Sequence, residues 1–329
     1  MKLRTPAALL AATATALVLA GCGGGPSTGT STEPADGEDP TELVLGLVPS
    51  QDVDQLVLDA EELGTLLEEE LGVPVETSVS SDYTALVTAM QAGQADIGMF
   101  GPIALVQAAD QAGAVPVLQS VRYGSSTYVT QWYTADTDRF CLDEVVTDEE
   151  GYTFCNGTDS AENGPVGEDA LASITADETI AFVDEGSASG YYYPATQLQQ
   201  VAGIDPLDLT NAFFAGGHPN AVLAVESGDA TVGVSFNDAR TEVVEEIPTI
   251  GEDLTVFAWS TDIPNDGVAV SGDLSEEWQQ RIADAFLAVA DTDDGVAVLQ
   301  AVYNIDGLVP ADLDALDAAR QVAANFGDE

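Results

Sequence analysis

The stretch Ala181-Phe182-Val183-Asp184-Glu185-Gly186-Ser187-Ala188-Ser189-Gly190-Tyr191 carries the strongest chemical signal in the chain. An apolar run ends, a turn of glycine and serine follows, and helical spacing resumes at Tyr191. Backbone N–H groups left free at a helix start, joined by two hydroxyls, make a site for an oxyanion. The same residues equally suit a serine N-cap with glycines for turn geometry, and the stretch alone does not decide. His218, the only histidine, stands in Ala215-Gly216-Gly217-His218-Pro219-Asn220. It too follows an apolar run and opens a helix. A lone histidine is more often structural, but this placement beside two glycines favours binding.

Ser187, His218 and the many aspartates can also be drawn as a hydrolytic triad. A nucleophile elbow needs serine at the centre of its G-x-S-x-G, and that place holds Ala188. A single histidine leaves only a carboxylate-dominated metal centre, and no metal-ligand spacing or EF-hand loop is visible. The expectation is a binding protein, not an enzyme, with no catalytic residue, cofactor or metal.

The elements that must position these residues alternate in period. Residues 43–48 form a short apolar run, and then Leu56, Ala60, Leu63, Leu67 and Leu71 recur at helical spacing until Gly72 and Pro74. Strands are predicted at 73–79, 97–100 and 115–121, with helices following Asp82 and Ile103. A polar stretch, 136–176, interrupts this pattern. It restarts with strands at 179–183, 212–215, 231–235 and 255–259, and with helices over 191–201 and from Asn220. Helical segments over 278–289 and 313–326 follow. Alternation of this kind predicts parallel sheets covered on both faces, in two doubly wound α/β lobes. Ligands of such sheets sit outside the carboxyl ends of the strands, so two facing lobes make a cleft.

The amino terminus addresses the compartment. Lys2 and Arg4, an apolar run from Ala7 to Ala20, and Leu19-Ala20-Gly21-Cys22 resemble a lipoprotein signal with its lipobox. Residues 1–21 are then a cleaved signal peptide and Cys22 the lipidation site; a plain secretory signal is the other reading. Residues 22–41, rich in Gly, Ser, Thr, Pro and acids, are expected to be a tether. The expected location is extracytoplasmic, on the cell membrane through the lipid anchor only. Cys141 and Cys155 then remain as a disulfide pair, closing a loop of about 15 residues worth roughly 3 kcal/mol in the chain-entropy model. They staple the 136–176 excursion, read as a surface feature.

The whole chain has a net charge of −50. Lys2 and Arg4 leave with the signal, so five arginines face 57 acidic residues and the mature charge is −52. Nucleic acid is excluded as a partner, since nothing here neutralises phosphates in bulk. The arginines are not grouped near the proposed loops, so neutral dipoles are expected to do most of any anion binding.

Several motifs, in order, carry a family resemblance. They are Gly46-Leu47-Val48-Pro49-Ser50, Asp82-Tyr83-Thr84-Ala85-Leu86 through Gly93-Gln94-Ala95-Asp96-Ile97-Gly98, and Phe100-Gly101-Pro102. The Gly186–Gly190 turn and Gly217-His218 follow, then Ile263-Pro264-Asn265-Asp266 and Asp306-Gly307-Leu308-Val309-Pro310. Together they resemble the phosphate/phosphite/phosphonate-binding proteins of ABC importers. The resemblance implies a type II periplasmic-binding-protein fold whose two hinge strands cross near 128–131 and 259–264. Lobe I is then 42–128 plus 262–329, and lobe II is 129–261. It implies a monomer that delivers a small phosphorus oxyanion to an importer permease; a sensory lipoprotein is the alternative.

Position by position, the resemblance puts Ser187, Ala188, Ser189, Gly190, His218 and Tyr83 on the ligand. Ala188 replaces the family's central Thr, which removes one hydroxyl. The family's first-lobe aromatic falls, with Gly101, on Phe100, which packs but cannot donate. In the loop Phe236-Asn237-Asp238, the resemblance places Asn237 or Asp238 near the ligand, with Asp238 a candidate acceptor from P–OH or else a helix N-cap. Ser50 is expected at the cleft's edge.

Overall fold

The computed structural model describes residues 39–326. The signal peptide, Cys22 and most of the 22–41 tether lie outside the described residues. Asp39, at the tether's end, accepts a hydrogen bond from Trp278 Nε1 at 2.8 Å.

The first half begins with β1 (Leu43–Leu47), β2 (Val75–Val79), β3 (Ile97–Phe100) and β4 (Val115–Val121). Helices Val53–Leu71, Tyr83–Gln91 and Pro102–Ala112 connect them. The first of these buries Leu56, Ala60, Leu63, Leu67 and Leu71 on one face. Asp52 starts it by accepting from the Gln55 N–H, and Gly72 ends it in the left-handed region at φ 69°. The chain then crosses through β5 (Thr127–Tyr128) into β6 (Thr130–Thr134).

The second half adds β7 (Val146–Thr147), β8 (Thr153–Phe154), β9 (Ile180–Phe182), β10 (Phe213–Phe214), β11 (Val232–Phe236) and β12 (Thr255–Trp259). It returns through β13 (Ile263–Pro264) to β14 (Gly267–Val270), and β15 (Gly307–Pro310) follows two long helices. Two sheets result, ordered β15-β4-β14-β3-β1-β2 and β10-β9-β11-β6-β12-β8-β7. β5 and β13 pair antiparallel between them, with Tyr128 opposite Ile263.

Neither sheet is wholly parallel, which corrects the sequence expectation. β14 runs antiparallel to both β3 and β4, and β6 to both β11 and β12. The physical reason is topological. β14 and β6 are the strands by which the chain enters each half from the crossing, so they run against neighbours laid down by βαβ units.

The excursion is also more than a surface feature. Cys141 and Cys155 are bonded, with Cα atoms 5.6 Å apart. Cys155 and Phe140 are buried, the latter stacked on Phe257 at 4.8 Å between ring centroids. β8 pairs in parallel with β12, so the excursion extends the second sheet by two strands. Among the described residues, no helix is long and apolar enough to cross a membrane.

Candidate ligand-binding cleft

The serine turn sits where β9 ends. Asp184 Oδ1 accepts from the Gly186 N–H at 2.8 Å, and the Ser187 N–H donates to Asp184 O at 3.0 Å. Ser187 Oγ then accepts from the Gly190 N–H at 3.1 Å and starts a π-helical turn, Ala188–Tyr192, ahead of helix Tyr193–Ala202. A Cβ on Gly190 would lie 2.3 Å from Val183 Cβ, so only glycine closes this turn. Ser187 is therefore an N-cap, and Ser187, Ala188 and Ser189 also line a pocket. The N–H groups of Ala188 and Ser189 have no acceptor among the described residues. Gly190 is corrected as a ligand donor, because its N–H is spent on the cap.

His218 begins helix His218–Glu226 and lines the same pocket. Its backbone N–H donates to Ser50 O at 3.1 Å, across the cleft. Its Nδ1 is 2.6 Å from Ser235 Oγ, and its ring meets Phe236 edge-on at 4.7 Å. Burial pushes the imidazole pKa down to about 3, reinforced by the charge of Arg122. The ring is thus neutral near pH 7. When Ser235 donates to Nδ1 the proton sits on Nε2, the tautomer that donates to an anion. Ser187 bonds to Gly190 and His218 to Ser235, so no Ser–His dyad forms.

The first half supplies the opposite wall. Tyr83 opens its helix, which Asp82 caps by accepting from the Ala85 N–H at 2.7 Å. Burial raises the phenol's pKa further above its ordinary value, so its O–H persists as a donor. Gly101 lines the pocket as the N-cap of helix Pro102–Ala112. Ser50 lines it too and accepts from His218, which corrects its expected place at the edge. Beside it, Tyr303 Oη donates to Val48 O at 2.6 Å and ties down the loop after β1.

Two charged groups in this wall were not found by sequence reasoning. Arg122, just past β4, and Asp266, between β13 and β14, pair with each other and both line the pocket. Their side chains are only 12% and 18% exposed. The arginines are not grouped at the site, but one of them, Arg122, lines it beside the neutral dipoles expected there. Tyr128 is a further unforeseen member, lining the pocket together with Ser189. The open space at the pocket is about 380 Å³, solvent at its mouth included.

Three expected positions lie elsewhere. Phe100 is fully buried in the first core, its ring packed where a Cβ on Gly98 would stand at 2.2 Å. Asn237 Oδ1 accepts from the Val129 N–H at 3.1 Å and lines a neighbouring cavity with Trp259. Asp238 is held by Arg240 Nε at 3.0 Å and Nη2 at 2.6 Å, and it caps Ala239–Val243. Its carboxylate is committed to Arg240, whose guanidinium is fully buried and would otherwise be uncompensated. Of its two sequence readings, the cap is the one formed. Among the described residues no cluster of His, Cys, Asp and Glu is placed to hold a metal.

The halves touch across this cleft. A Cβ on Gly186 would lie 2.5 Å from Tyr83 Cβ, and Asn304 Nδ2 donates to Glu242 Oε1 at 2.9 Å. Two α/β halves joined by a pair of crossing strands, with inward-facing donors between them, define a binding protein of the type II periplasmic class. The chain belongs to the family described as ABC transporter, phosphonate, periplasmic substrate-binding protein, whose model matches residues 45–316. That family comprises transporter binding proteins and not enzymes.

Phosphate-import protein PhnD of Mycolicibacterium smegmatis is 28% identical over 235 residues, 69% of this chain and 64% of that protein. The match thus spans under two thirds of that relative's length. A binding protein component of an ABC phosphonate transporter from Pseudomonas aeruginosa superposes with a TM-score of 0.70 at 19% identity, covering 86% of each chain. PhnD1 of Prochlorococcus marinus in complex with methylphosphonate gives 0.69 at 18% identity, covering 88% of this chain and 99% of that one.

Proposed function

We propose that this protein captures a small phosphorus oxyanion in the cleft and delivers it to an ABC importer. The carrying observation is convergence on one pocket. The unpartnered N–H groups of Ala188 and Ser189, the two serine hydroxyls, neutral His218, protonated Tyr83 and Arg122 all border it. Donors lining one cleft bind an anion through charge-assisted hydrogen bonds, which offset the long-range repulsion of a −50 chain. The relatives' names, phosphate import in one and a phosphonate transporter component in another, support the ligand class.

Residues 42–128 with 262–329 act as one lobe and 129–261 as the other, closing as a monomer around the hinge. Cys22 carries the lipid that holds the protein outside the cytoplasmic membrane. Calorimetry on ligand-stripped protein with phosphate, phosphite, methylphosphonate and aminoethylphosphonate tests the reading. At least one should bind with Kd of about 1 µM or tighter. Saturating ligand should shrink the radius of gyration in small-angle scattering. Binding by none of the four would sink the proposal. Cys22→Ser should move the protein from membranes to a soluble fraction with its affinity intact.

A further inference from the structure

Asp266 presents a carboxylate to an anion site, and an unprotonated dianion there would be repelled. Its Oδ2 accepts from Arg122, while Oδ1 has no donor among the described residues. Oδ1 lies 3.6 Å from where a Cβ on Gly101 would stand, at the pocket wall. The backbone that carries the carboxylate is pinned. Asp266 O accepts from the Ser120 N–H at 2.8 Å, and Asn265 Nδ2 donates to Ser120 O at 3.0 Å and Ser125 O at 2.8 Å.

The charges around it are few. Arg122 offsets Asp266, and His218 is neutral. Tyr83, Tyr128 and Tyr303, on the other elements packed there, feel the Asp266 charge, and burial keeps each protonated. Asp184 reaches Tyr83 from the serine turn. The pocket therefore has one carboxylate oxygen to which no donor among the described residues is bonded.

We propose that Asp266 Oδ1 takes the hydrogen bond of a P–OH group on the ligand while Arg122 holds Oδ2, so that the cleft selects singly protonated phosphorus oxyanions over sulfur oxyanions of the same shape. This rests on the phosphorus-oxyanion function proposed above. A phosphate monoester keeps a proton up to a second pKa of about 6, whereas sulfate and sulfonates carry none near neutrality. Burial also lifts the Asp266 carboxyl against the pull of Arg122, so a ligand arriving without its proton can share one taken up from water. In both cases the complex holds one proton between Asp266 and the ligand. Above the ligand's second pKa, affinity then falls about tenfold per pH unit.

The test pairs phosphate with sulfate and methylphosphonate with methanesulfonate, by calorimetry at about pH 8 in two buffers of different ionisation heat. The wild-type protein should take up close to one proton with its phosphorus ligand and bind the sulfur partner at least ~100-fold more weakly. Asp266→Asn offers an N–H to an unprotonated oxyanion. It should lose the proton uptake and narrow the phosphorus preference by about tenfold or more. No uptake by the wild-type protein, a reading that needs no variant to fold, overturns the inference; so does an unchanged preference in Asp266→Asn. Failure of the wild-type protein to bind either phosphorus ligand retires the proposed function itself, and this inference with it.

Discussion

The two walls of the cleft hold an anion by different means. The wall from the second half is neutral: serine hydroxyls, free N–H groups at a helix start and an imidazole stripped of its charge by burial. The wall from the first half and the hinge is charged, with Arg122 and Asp266 locked together beside Tyr83. Neutral dipoles stay in place with or without a ligand and cost less to bury than charges do. A charged pair costs more to desolvate, but its oxygen can tell a protonated ligand from an unprotonated one. One wall supplies grip and the other supplies discrimination.

The largest effect should come from breaking the charged wall. Arg122→Ala leaves Asp266 unpaired and facing the anion, a loss of about 2–5 kcal/mol, or ~30-fold and upward in Kd. An affinity within twofold of wild type would show that the pair is scaffolding. His218→Ala removes a donor to a charged ligand and should weaken binding by about 10- to 150-fold.

The same histidine tests whether its wall is truly neutral. In the unfolded chain it takes a proton near pH 6.5, but in the fold only at about 3. Its burial therefore costs stability as pH falls through that window, since the unfolded state binds the proton first. Urea midpoints for wild type and His218→Gln should shift in the variant's favour between pH 7 and about pH 4. A constant difference would mean that the imidazole titrates in the fold as it does in the unfolded chain.

Tyr83→Phe keeps the ring and removes one hydroxyl, so calorimetry should show a loss of about tenfold, the lower end for such a bond. Replacing Cys141 and Cys155 together by Ser should change affinity least, by less than about twofold, while lowering unfolding stability by about 3 kcal/mol. A large affinity loss there would tie the excursion to the cleft and blur the division between the walls.

Much of the neutral wall was legible because it is local. Strand, Gly/Ser turn and helix lie within a dozen residues, and the N-cap geometry follows from their order. Helix Val53–Leu71 was equally plain from its spacing. The charged wall was not legible. Arg122 and Asp266 are 144 positions apart, and neither lies in a strand or helix whose periodicity would aim it. β14 reads like any buried strand, and nothing in Gly267–Val270 tells its direction. Phe100 was misplaced because every residue of β3 is buried, so alternation gives no inside or outside. Asp238 could have been placed correctly, since Arg240 stands only two residues away and had to find a partner.

Gly186 and Tyr83 meet with no clearance between their backbones and Cβ. On the proposed closure, a bound anion has no exit between these two residues until the halves part. Residence time is then expected to follow the opening rate of the molecule more than the local breathing of a loop. A methyl group on residue 186 would act as a doorstop, holding the jaw ajar. Ligand would come and go faster through an entrance that no longer shuts, even though every donor in the pocket remained in place.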